Sequence, residues 1–600
     1  MLLEKIKDPS DLKKLNIKEL ESLCAEIRER IIDVSDKNGG HLASSLGAVE
    51  IIVALYYVFD FPKDKLIFDV GHQSYAHKIL SGRNELFDTI RREGGLSGFP
   101  NIFESEYDAF SVGHAGTSIS AALGYCASRD LLKNDYYVIT LVGDASFMNG
   151  ENLEALFSSE NKPEKLLVIL NDNGMSISKN NNGLYKVLSK ISTKKSYSRF
   201  MRLMDKIFGW NFIGRFLKRF KAAFKRSLDS HGMLDTVGLK YVGAFDGHNI
   251  KLLVNVFKNF KDSPRATLLH LKTKKGKGYD PAEKESERYH GVAKNMLVSN
   301  NSFSSAVGNV LGELFEKDER FVVITAAMAL GTGVEELSKK YPQRVFDIGI
   351  SEEYGVTYAA GMAVAGLKPI VCIYSTFLQR AYDQIVCDVC LQDLPVIFML
   401  DRAGFVGSDG VTHQGLFDLS YLTHIPNLSV FAPKDTAELK TIVNYAATLN
   451  KPVAIRYPNG INEDFETHTE ISEDSLWEIV EGDEGFSDKK VALCVGPRMI
   501  RLAEEVYGGK GVTIVNARSV KPLDEKLLDR LADCRIVTLE ENSVIGGFGS
   551  LVLSYYGRVG ILADVKCFGA DDRFVEHALV SSQIEKSGIS REKLFKAFDR

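Results

Sequence analysis

The chain has 600 residues, in which 74 Lys and Arg are set against 79 Asp and Glu, so its formal net charge is −5. This near balance gives no electrostatic reason to expect nucleic acid or an anionic membrane as the main partner. Hydrophobic residues make up 45% of the chain and charged residues 26%, which is typical of folded globular proteins and excludes disorder over large stretches. The length is sufficient for several hydrophobic cores.

The sequence carries no sign of export or membrane insertion. Its first residues lack the apolar core of a secretory signal, and the longest apolar stretch, residues 50–61, falls short of the ~18 residues that a membrane span needs. The eight cysteines are scattered without the spacing of a disulfide framework, which favours a reducing compartment. We therefore expect a cytoplasmic protein without a membrane span or a nucleic-acid partner.

Short apolar runs that end in polar or glycine-rich turns alternate with helical patterns along the chain. Such runs are typical of buried parallel strands, and the alternation predicts doubly wound α/β sheets. The runs are 136–142, 166–170, 267–271, 321–325, 369–373, 396–400, 453–456, 491–495, 512–515 and 535–539. A polar joint near 298–302 and an acidic one at 462–488 predict three such domains, at 1–298, 303–460 and 489–600.

Residues 190–226 differ from the rest of the chain, because they carry twelve Lys or Arg against a single acid. Phenylalanines recur every four residues from Phe212 to Phe224, which predicts an amphipathic helix. A basic amphipathic helix can lie on a membrane or bind a partner. The alternative, which we favour, is an insertion whose phenylalanines pack on its own domain.

Two neighbouring predicted strands end in turns that are rich in oxygen-bearing side chains. The turns are Gly143-Asp144-Ala145-Ser146 and Asn171-Asp172-Asn173-Gly174-Met175. Ligands of open α/β sheets bind beyond the carboxyl ends of the strands. Carboxylate, amide and carbonyl oxygens are ligands that Mg²⁺ prefers, together with substrate phosphates. The two turns therefore indicate a Mg²⁺-phosphate site.

His41, His72 and His114 each lie beside glycine in predicted loops. A single histidine is more often structural, but three in this setting favour a site, because the backbone at glycine can approach a ligand closely. Histidine titrates near neutrality, so such a cluster can move protons or bind phosphate.

A further group of candidates lies between residues 350 and 460. Glu352 opens a predicted helix of small residues, where a glutamate usually serves only the helix dipole. Arg402 lies just after one predicted strand, 396–400, and Arg456 is the last residue of another, 453–456. Guanidinium groups bind phosphate bidentately, so the pair suits a small phosphorylated substrate, although either arginine alone is typical of an ordinary surface position.

Together these segments resemble the 1-deoxy-D-xylulose-5-phosphate synthase family of the transketolase superfamily, whose enzymes use thiamine diphosphate. A Gly-Asp turn followed about thirty residues later by paired asparagines is the thiamine diphosphate motif, and 29 positions separate Asp144 from Asn173 here. The most family-specific stretches are 374–383 and 401–415. The resemblance runs nearly end to end, from 39–47 to 546–550.

The resemblance implies a role for each matching residue. Glu352 would activate the aminopyrimidine of the cofactor, and His41 and His413 would transfer protons or bind substrate. Cofactor contacts would come from His72, His114, Ala115, Gly116, Ala145, Ser146, Asn173, Tyr279, Glu352 and Phe377. Asp144, Asn173 and the carbonyl of Met175 would hold Mg²⁺. Tyr374, Arg402, Asp409 and Arg456 would bind the acceptor substrate.

The implied reaction is the decarboxylative condensation of pyruvate with D-glyceraldehyde 3-phosphate to 1-deoxy-D-xylulose 5-phosphate and CO₂. This is the first step of the non-mevalonate isoprenoid pathway, and it also feeds thiamine and pyridoxal synthesis. Superfamily members are dimers, so the resemblance also implies a homodimer.

Three departures from the family pattern leave two alternatives open. Ala145 stands in place of glycine, Glu353-Tyr354 in place of Gln-His, and Ala115-Gly116 in place of two serines. The first alternative is a divergent thiamine-dependent carboligase that uses another donor or another phosphorylated aldehyde. The second is a cofactor-binding paralogue without catalytic activity.

Overall fold

A computed structural model describes residues 2–158, 162–174, 238–291, 302–460, 464–466 and 468–599. Met175 and the basic segment 190–226, with its phenylalanine stripe, lie outside these ranges. Within them, no helix is both long and apolar enough to cross a bilayer. The chain divides into two compact units. Unit 1 comprises Met1–Ile90 and Gly95–Met296, and unit 2 comprises Arg91–Gly94 and Leu297–Arg600.

Unit 1 is built on a parallel five-stranded sheet with the strand order β1-β2-β3-β5-β4. Successive side chains of a strand point to opposite faces, and here both faces are covered. Ile139 and Leu141 pack into one hydrophobic cluster, whereas Val138 and Val142 pack into another. The strands are β1 (Lys65–Phe68), β2 (Val138–Gly143), β3 (Leu166–Asp172), β4 (Lys240–Asp246) and β5 (Thr267–Lys272).

Helices of the described part of unit 1 cover this sheet, and the first of them has capping residues at both ends. Asn16 caps the first helix in a capping box with Glu19, and Gly39 ends it at a φ of 76°. The helices are α1 (Ile17–Asn38), α2 (Leu42–Gly47), α3 (Val49–Val58), α4 (Tyr75–Lys78), α5 (Ser118–Leu131), α6 (Asp144–Phe147), α7 (Gly150–Phe157), α8 (Ile250–Asp262) and α9 (Asp280–Lys284).

Unit 2 contains two sheets. The first has seven strands in the order β15-β10-β11-β9-β8-β6-β7, and all its pairs are parallel except β10 with β15. Its strands are β6 (Phe321–Thr325), β7 (Val345–Asp347), β8 (Lys368–Tyr374), β9 (Ile397–Asp401), β10 (Ser429–Phe431), β11 (Val453–Arg456) and β15 (Ser519–Lys521).

The second sheet of unit 2 has five strands in the order β12-β14-β13-β16-β17, and only β12 is antiparallel to its neighbour. Its strands are β12 (Glu478–Glu481), β13 (Lys490–Val495), β14 (Thr513–Asn516), β16 (Arg535–Ser543) and β17 (Asp564–Ala570).

In the part of unit 2 that the structure describes, twelve α-helices flank these two sheets. In chain order they are α10 (Phe303–Lys317), α11 (Glu335–Lys340), α12 (Glu352–Val364), α13 (Ser375–Leu378), α14 (Tyr382–Gln384), α15 (Asp418–Leu422), α16 (Thr436–Leu449), α17 (Pro497–Tyr507), α18 (Glu525–Arg530), α19 (Phe548–Val559), α20 (Val580–Glu585) and α21 (Arg591–Phe595).

The predicted α/β fold class is confirmed, because the three sheets are mostly parallel and helices follow most of their strands. All ten predicted strands are present, with ends that shift by a few residues. Strands without a continuous apolar run were missed, and β4 is an example, since its side chains are mostly exposed or half-buried. The division at 298 and 460–489 into three domains stays a prediction.

Candidate active site

The parallel order of the unit 1 sheet brings the carboxyl ends of β1, β2, β3 and β5 to one edge. Polar residues follow each of these strands. His72 lies in the turn after β1, Asp144 follows β2, Asn173 follows β3 and Lys275 follows β5. The edge therefore collects three residues that the sequence singled out and a fourth, Lys275, that it did not.

Asp69 connects the loop of His114 to this edge. Its side chain is fully buried, and its carboxylate accepts a hydrogen bond of 2.9 Å from the N–H of Gly116. Asn152 donates to the same carboxylate at 3.0 Å and to the carbonyl oxygen of Ser146 at 2.8 Å. Hydrogen bonds to an ionised acceptor are the strong ones. Asp69 thus fixes two predicted cofactor-binding turns relative to each other.

At the departure from the family pattern, Ala115-Gly116, the structure has no room for a side chain on residue 116. Gly116 adopts a φ of 94°, in the left-handed region that favours glycine. A Cβ at this position would lie 2.1 Å from Oδ1 of Asn149. The carboxamide of Asn149 therefore occupies the space that a side chain at position 116 would need.

Two predicted histidines form a cluster with a third. The ring centroids of His41 and His72 lie 6.1 Å apart, and His290 lies 6.0 Å from the first and 5.3 Å from the second. Nδ1 of His72 is buried and has no hydrogen-bond partner within the described part of the chain. Because a buried polar atom is costly unless it is satisfied, this nitrogen fits a bound polar ligand.

Burial dominates the electrostatics of this cluster. It lowers the pKa of His72 to about 3, and the nearby Lys275 ammonium acts in the same direction. Burial, followed by Lys275, also holds the pKa of His290 well below its usual value. Burial lowers the pKa of Lys275 itself to about 8. At pH 7 the two imidazoles are therefore neutral, and the lysine supplies the positive charge that a phosphate requires.

Asp144 has the features of a cation ligand. It is 3% exposed, and its Oδ2 has no partner among the described residues. Burial, with a contribution from Asp172, raises the pKa of Asp144 to about 8. A bound divalent cation would reverse that shift. In the described ranges no group of three His, Cys, Asp or Glu side chains could hold a metal, so a cation here would depend on amides, carbonyls and ligand phosphates.

The polar side chains in the last positions of β3 and just after it have separate tasks. Asp172 lies 2.8 Å from Nε2 of His270, and Asn171 accepts a hydrogen bond of 2.6 Å from the Thr273 hydroxyl. These two residues therefore connect β3 to β5. Asn173 follows them and is half-buried, whereas Met175 lies outside the described residues.

Tyr279 is connected to the histidine cluster through its neighbour. Its ring packs edge-on against Tyr289 at 6.0 Å, and the carbonyl of Tyr289 accepts a hydrogen bond of 3.0 Å from the N–H of Ala43. Ala43 lies two residues after His41. The structure thus brings the predicted residue at 279 close to the loop of His41.

In unit 2, Glu352 is the first residue of α12. Its side chain is 4% exposed, and Oε2 has no partner in the described part of the chain. Burial raises the pKa of Glu352 to about 7, while the charge of Arg380 opposes the shift. Because its pKa lies near neutrality, Glu352 can both give and accept a proton.

The other predicted residues of unit 2 form a continuous chain of contacts. Tyr374 and Phe377 stack with centroids 5.7 Å apart, and His413 packs edge-on against Phe377 at 5.6 Å. The guanidinium carbon of Arg402 lies 3.9 Å from the ring centroid of Tyr374. The turn after β8 and the loops after β9 thus present aromatic faces and a cation side by side.

Asp409 lies between two arginines. Its Oδ1 is 2.5 Å from Nη2 of Arg91, and its Oδ2 is 3.7 Å from Nη1 of Arg402. The side chain of Asp409 is 29% exposed and that of Arg91 only 7%. This triad carries a net positive charge and suits an anionic ligand.

Arg456 lies deeper than the sequence suggested. It is 4% exposed, and its Nε donates to Oδ2 of Asp418 at 2.9 Å. Its Nη2 donates to the carbonyl of Glu541 at 3.0 Å. A role of Arg456 in phosphate binding stays a prediction, and the structure places its guanidinium in an internal ion pair.

Sequence reasoning missed three residues of these arrangements. His290 precedes Gly291, so the histidine–glycine signal that indicated the other candidates could have found it. Lys275 lies in a basic stretch, and such stretches are usually exposed. Arg91 gave no signal, because its partner Asp409 is 318 positions away.

Three family models match the chain in succession. The model described as 1-deoxy-D-xylulose-5-phosphate synthase matches residues 3–273. The transketolase pyrimidine binding domain matches residues 300–462, and the transketolase C-terminal domain matches residues 498–594.

Full-length relatives agree with these matches. The 1-deoxy-D-xylulose-5-phosphate synthase of Carboxydothermus hydrogenoformans is 44% identical over 618 residues, which cover 100% of this chain and 98% of that protein. A synthase of Thermus thermophilus is 42% identical over 617 residues, with 100% and 98% covered. Transketolase from Campylobacter jejuni is a weaker structural likeness, with 17% identity, 97% and 99% coverage and a TM-score of 0.44.

Such identity over the whole length leaves one conclusion about ancestry. The chain belongs to the 1-deoxy-D-xylulose-5-phosphate synthase family, whose members are thiamine diphosphate-dependent transferases of the transketolase type.

Proposed function

We propose that this chain catalyses the reaction for which its family is named. It condenses pyruvate with D-glyceraldehyde 3-phosphate, releases CO₂ and forms 1-deoxy-D-xylulose 5-phosphate. This product is the first intermediate of the non-mevalonate isoprenoid pathway and also a precursor for thiamine and pyridoxal. Relatives that carry the name of this activity match the chain from end to end.

The observation that carries the proposal is that the carboxyl group of Glu352 is buried and has a raised pKa. A carboxyl group that is 4% exposed, with one oxygen unpartnered in the described chain, is costly in a merely structural role. Its raised pKa, about 7, suits a group that exchanges a proton with the aminopyrimidine. Glu352 would activate the cofactor in this way, and Phe377 would pack on the same ring.

Unit 1 has groups that suit a diphosphate and its cation. Among the described residues, Nδ1 of His72 and Oδ2 of Asp144 have no hydrogen-bond partner, and they fit a diphosphate and a cation, respectively. We propose that His72, His114, Ser146 and the Gly116 backbone hold the diphosphate. Asp144 and Asn173, with the carbonyl predicted at Met175, would hold Mg²⁺. Bound thiamine diphosphate supplies the nucleophilic carbon and the electron sink for loss of CO₂.

Proton transfer and acceptor binding fall to separate groups. His41 and His413 would move protons at the reacting carbons or bind substrate. Arg402 and Asp409, with Tyr374 beside them, would bind D-glyceraldehyde 3-phosphate. The guanidinium would take its phosphate and the carboxylate a hydroxyl group.

We also propose a homodimer. Unit 2 exposes several large apolar side chains, which an interface with a second copy could bury. Tyr354 and Val364 on α12 are 55% and 66% exposed, and Leu391 and Leu562 are 76% and 102% exposed. Size-exclusion chromatography with light scattering tests this, and a monomer at micromolar concentration would contradict it.

A cytoplasmic location is also proposed, on the evidence of the cysteines. All eight are free thiols in the structure, which is typical of proteins in a reducing compartment. Cell fractionation with an antibody against the chain would test the location.

The experiment that tests the proposed function is an assay with both substrates, thiamine diphosphate and Mg²⁺. We expect 1-deoxy-D-xylulose 5-phosphate and CO₂ in equal amounts, and no product when the cofactor is withheld. Product formation that does not depend on the cofactor, or cofactor binding without this product, would refute the proposal.

A further inference from the structure

The loop of Asp409 is held by a helix far along the chain. Gln583 lies on α20 and is 3% exposed. Its Oε1 accepts a hydrogen bond of 3.0 Å from the N–H of Gly407, and its Nε2 donates to the carbonyl of Gly407 at 3.1 Å. One side-chain amide therefore satisfies both backbone groups of a residue two positions before Asp409.

A second glutamine strengthens this attachment from the loop side. Oε1 of Gln414 accepts from the N–H of Val406 at 3.0 Å, and its Nε2 donates to the carbonyl of Val575 at 3.2 Å. Gln583 also donates to the carbonyl of Glu576 at 2.8 Å. The segment 575–583 and the loop are thus joined through buried amides, which are expensive to leave unpaired.

The two backbones approach each other closely. A Cβ on Gly407, whose φ is 72°, would lie 3.4 Å from the carbonyl oxygen of Ala578. A Cβ on Gly410, whose φ is 83°, would lie 3.4 Å from Cβ of His577. The segment packs on the backbone of the loop, so it controls where that backbone lies.

Residues on α20 and just after it also contact the segment that contains Arg91, the ion-pair partner of Asp409. The Ser582 hydroxyl donates to the carboxylate of Glu93 at 2.8 Å, and Lys586 forms an ion pair with the same carboxylate. Glu93 lies two residues after Arg91. α20 therefore contacts the chain close to both members of the ion pair. Gln583 contacts Gly407, two residues before Asp409. Ser582 contacts Glu93, two residues after Arg91.

We propose that Gln583 is a positioning residue for acceptor binding. It holds the backbone of the Asp409 loop, and thereby sets the affinity for the phosphorylated aldehyde, without touching that substrate. The proposal rests on the proposed function, which assigns Asp409 to the acceptor. It gives the C-terminal part of unit 2 a task in substrate binding that the sequence did not indicate.

Gln583→Met tests this, since methionine keeps the length of the side chain and removes its hydrogen bonds. We expect the KM for D-glyceraldehyde 3-phosphate to rise about five- to tenfold, whereas kcat and the KM for pyruvate change less than about twofold. Equal changes in both Michaelis constants, or none, would overturn the proposal.

Tyr507→Phe is the matched control. It removes a buried hydrogen bond of 2.8 Å to the carbonyl of Leu594, in the same part of unit 2 but away from the loop. Both Michaelis constants should stay as in the wild type. A rise in the acceptor KM equal to that of Gln583→Met would show a general loss of stability, and would overturn the positioning role.

A double-mutant cycle with Asp409→Ala separates this proposal from the proposed function. If Gln583 acts through Asp409, Gln583→Met adds no further rise to the acceptor KM in the Asp409→Ala background, and additive effects would overturn it. If Asp409→Ala alone leaves that KM unchanged, the assignment of Asp409 has failed.

Hydrogen exchange of peptide 404–412 tests, without an activity assay, whether Gln583 holds the backbone of the loop. Gln583→Met should speed its exchange about five- to tenfold, because the amide of Gly407 loses its acceptor. An unchanged exchange rate of this peptide would contradict the proposal that Gln583 holds the loop.

Discussion

Arg91 and Asp409 form an ion pair of 2.5 Å between Nη2 and Oδ1, although 318 positions separate them in the sequence. Arg91 belongs to the four-residue segment Arg91–Gly94, which is part of unit 2 although the residues around it belong to unit 1. The pair places one carboxylate oxygen in a fixed position and leaves the other towards Arg402.

Replacing Arg91 by alanine should weaken acceptor binding. Asp409 would lose its closest cation, and an arginine–carboxylate contact of this kind is worth roughly tenfold or more in affinity. We expect the KM for D-glyceraldehyde 3-phosphate to rise by about that factor, while the KM for pyruvate stays the same. Arg92→Ala, at the neighbouring exposed position, is the control, and an equal effect of both variants would contradict this assignment.

Glu352 should make the stability of the cofactor-free protein depend on pH. Burial raises its pKa to about 7 from an ordinary 4.5, so between these values the folded chain keeps a proton that the unfolded chain has lost. The contribution is present below pH 4.5 and is lost as the pH rises to 7, by up to about 3 kcal/mol.

Thermal melts of the wild type and Glu352→Gln check this sign. The glutamine variant does not titrate, so its advantage in melting temperature should grow as the pH rises from about 5 to about 8. A difference that stays constant over this range would mean that the carboxyl of Glu352 has an ordinary pKa.

Gly116→Ala should destabilise unit 1. A left-handed conformation costs a residue with a side chain about 1–2 kcal/mol, and the added methyl group would also collide with Asn149. Gly124→Ala on α5 is the control, because a Cβ there meets nothing within 4 Å and alanine favours a helix. Chemical denaturation should show opposite signs for the two variants, and equal signs would contradict the loop geometry.

Asp418→Ala should cost about 3–5 kcal/mol of stability, since it leaves the buried guanidinium of Arg456 without its carboxylate. Asp474→Ala removes an exposed partner of Lys526 and should change the melting temperature little. If Asp418→Ala melts like the wild type, the internal ion pair of Arg456 does not form in solution, and its predicted role in phosphate binding gains support.

Much of the fold could be predicted, because continuous apolar runs between turn residues are a strong local signal. The run at 321–325 and the run at 453–456 coincide with β6 and β11. Strands with mixed exposure, such as β4 and β17, were missed because they lack a continuous buried apolar run. Turn residues after the strands were also predictable, since parallel strands end at a common edge.

The parts of the site that depend on distant contacts could not be predicted. Nothing near Arg91 indicates Asp409, and nothing near Gln583 indicates Gly407, because these contacts exist only once the chain has folded. Arg456 did give a local signal in the sequence, but the surroundings of its side chain could not be predicted. Its position at the end of a strand suggested an accessible phosphate-binding residue, but its burial with Asp418 depends on packing from several elements.

The most direct test of the central claim compares wild type, Glu352→Gln and Glu353→Gln in the assay with pyruvate, D-glyceraldehyde 3-phosphate, thiamine diphosphate and Mg²⁺. We expect 1-deoxy-D-xylulose 5-phosphate from the wild type and from Glu353→Gln. Glu352→Gln should be slower by about three orders of magnitude, with an unchanged fold by circular dichroism. Wild-type turnover that survives in Glu352→Gln would contradict the account.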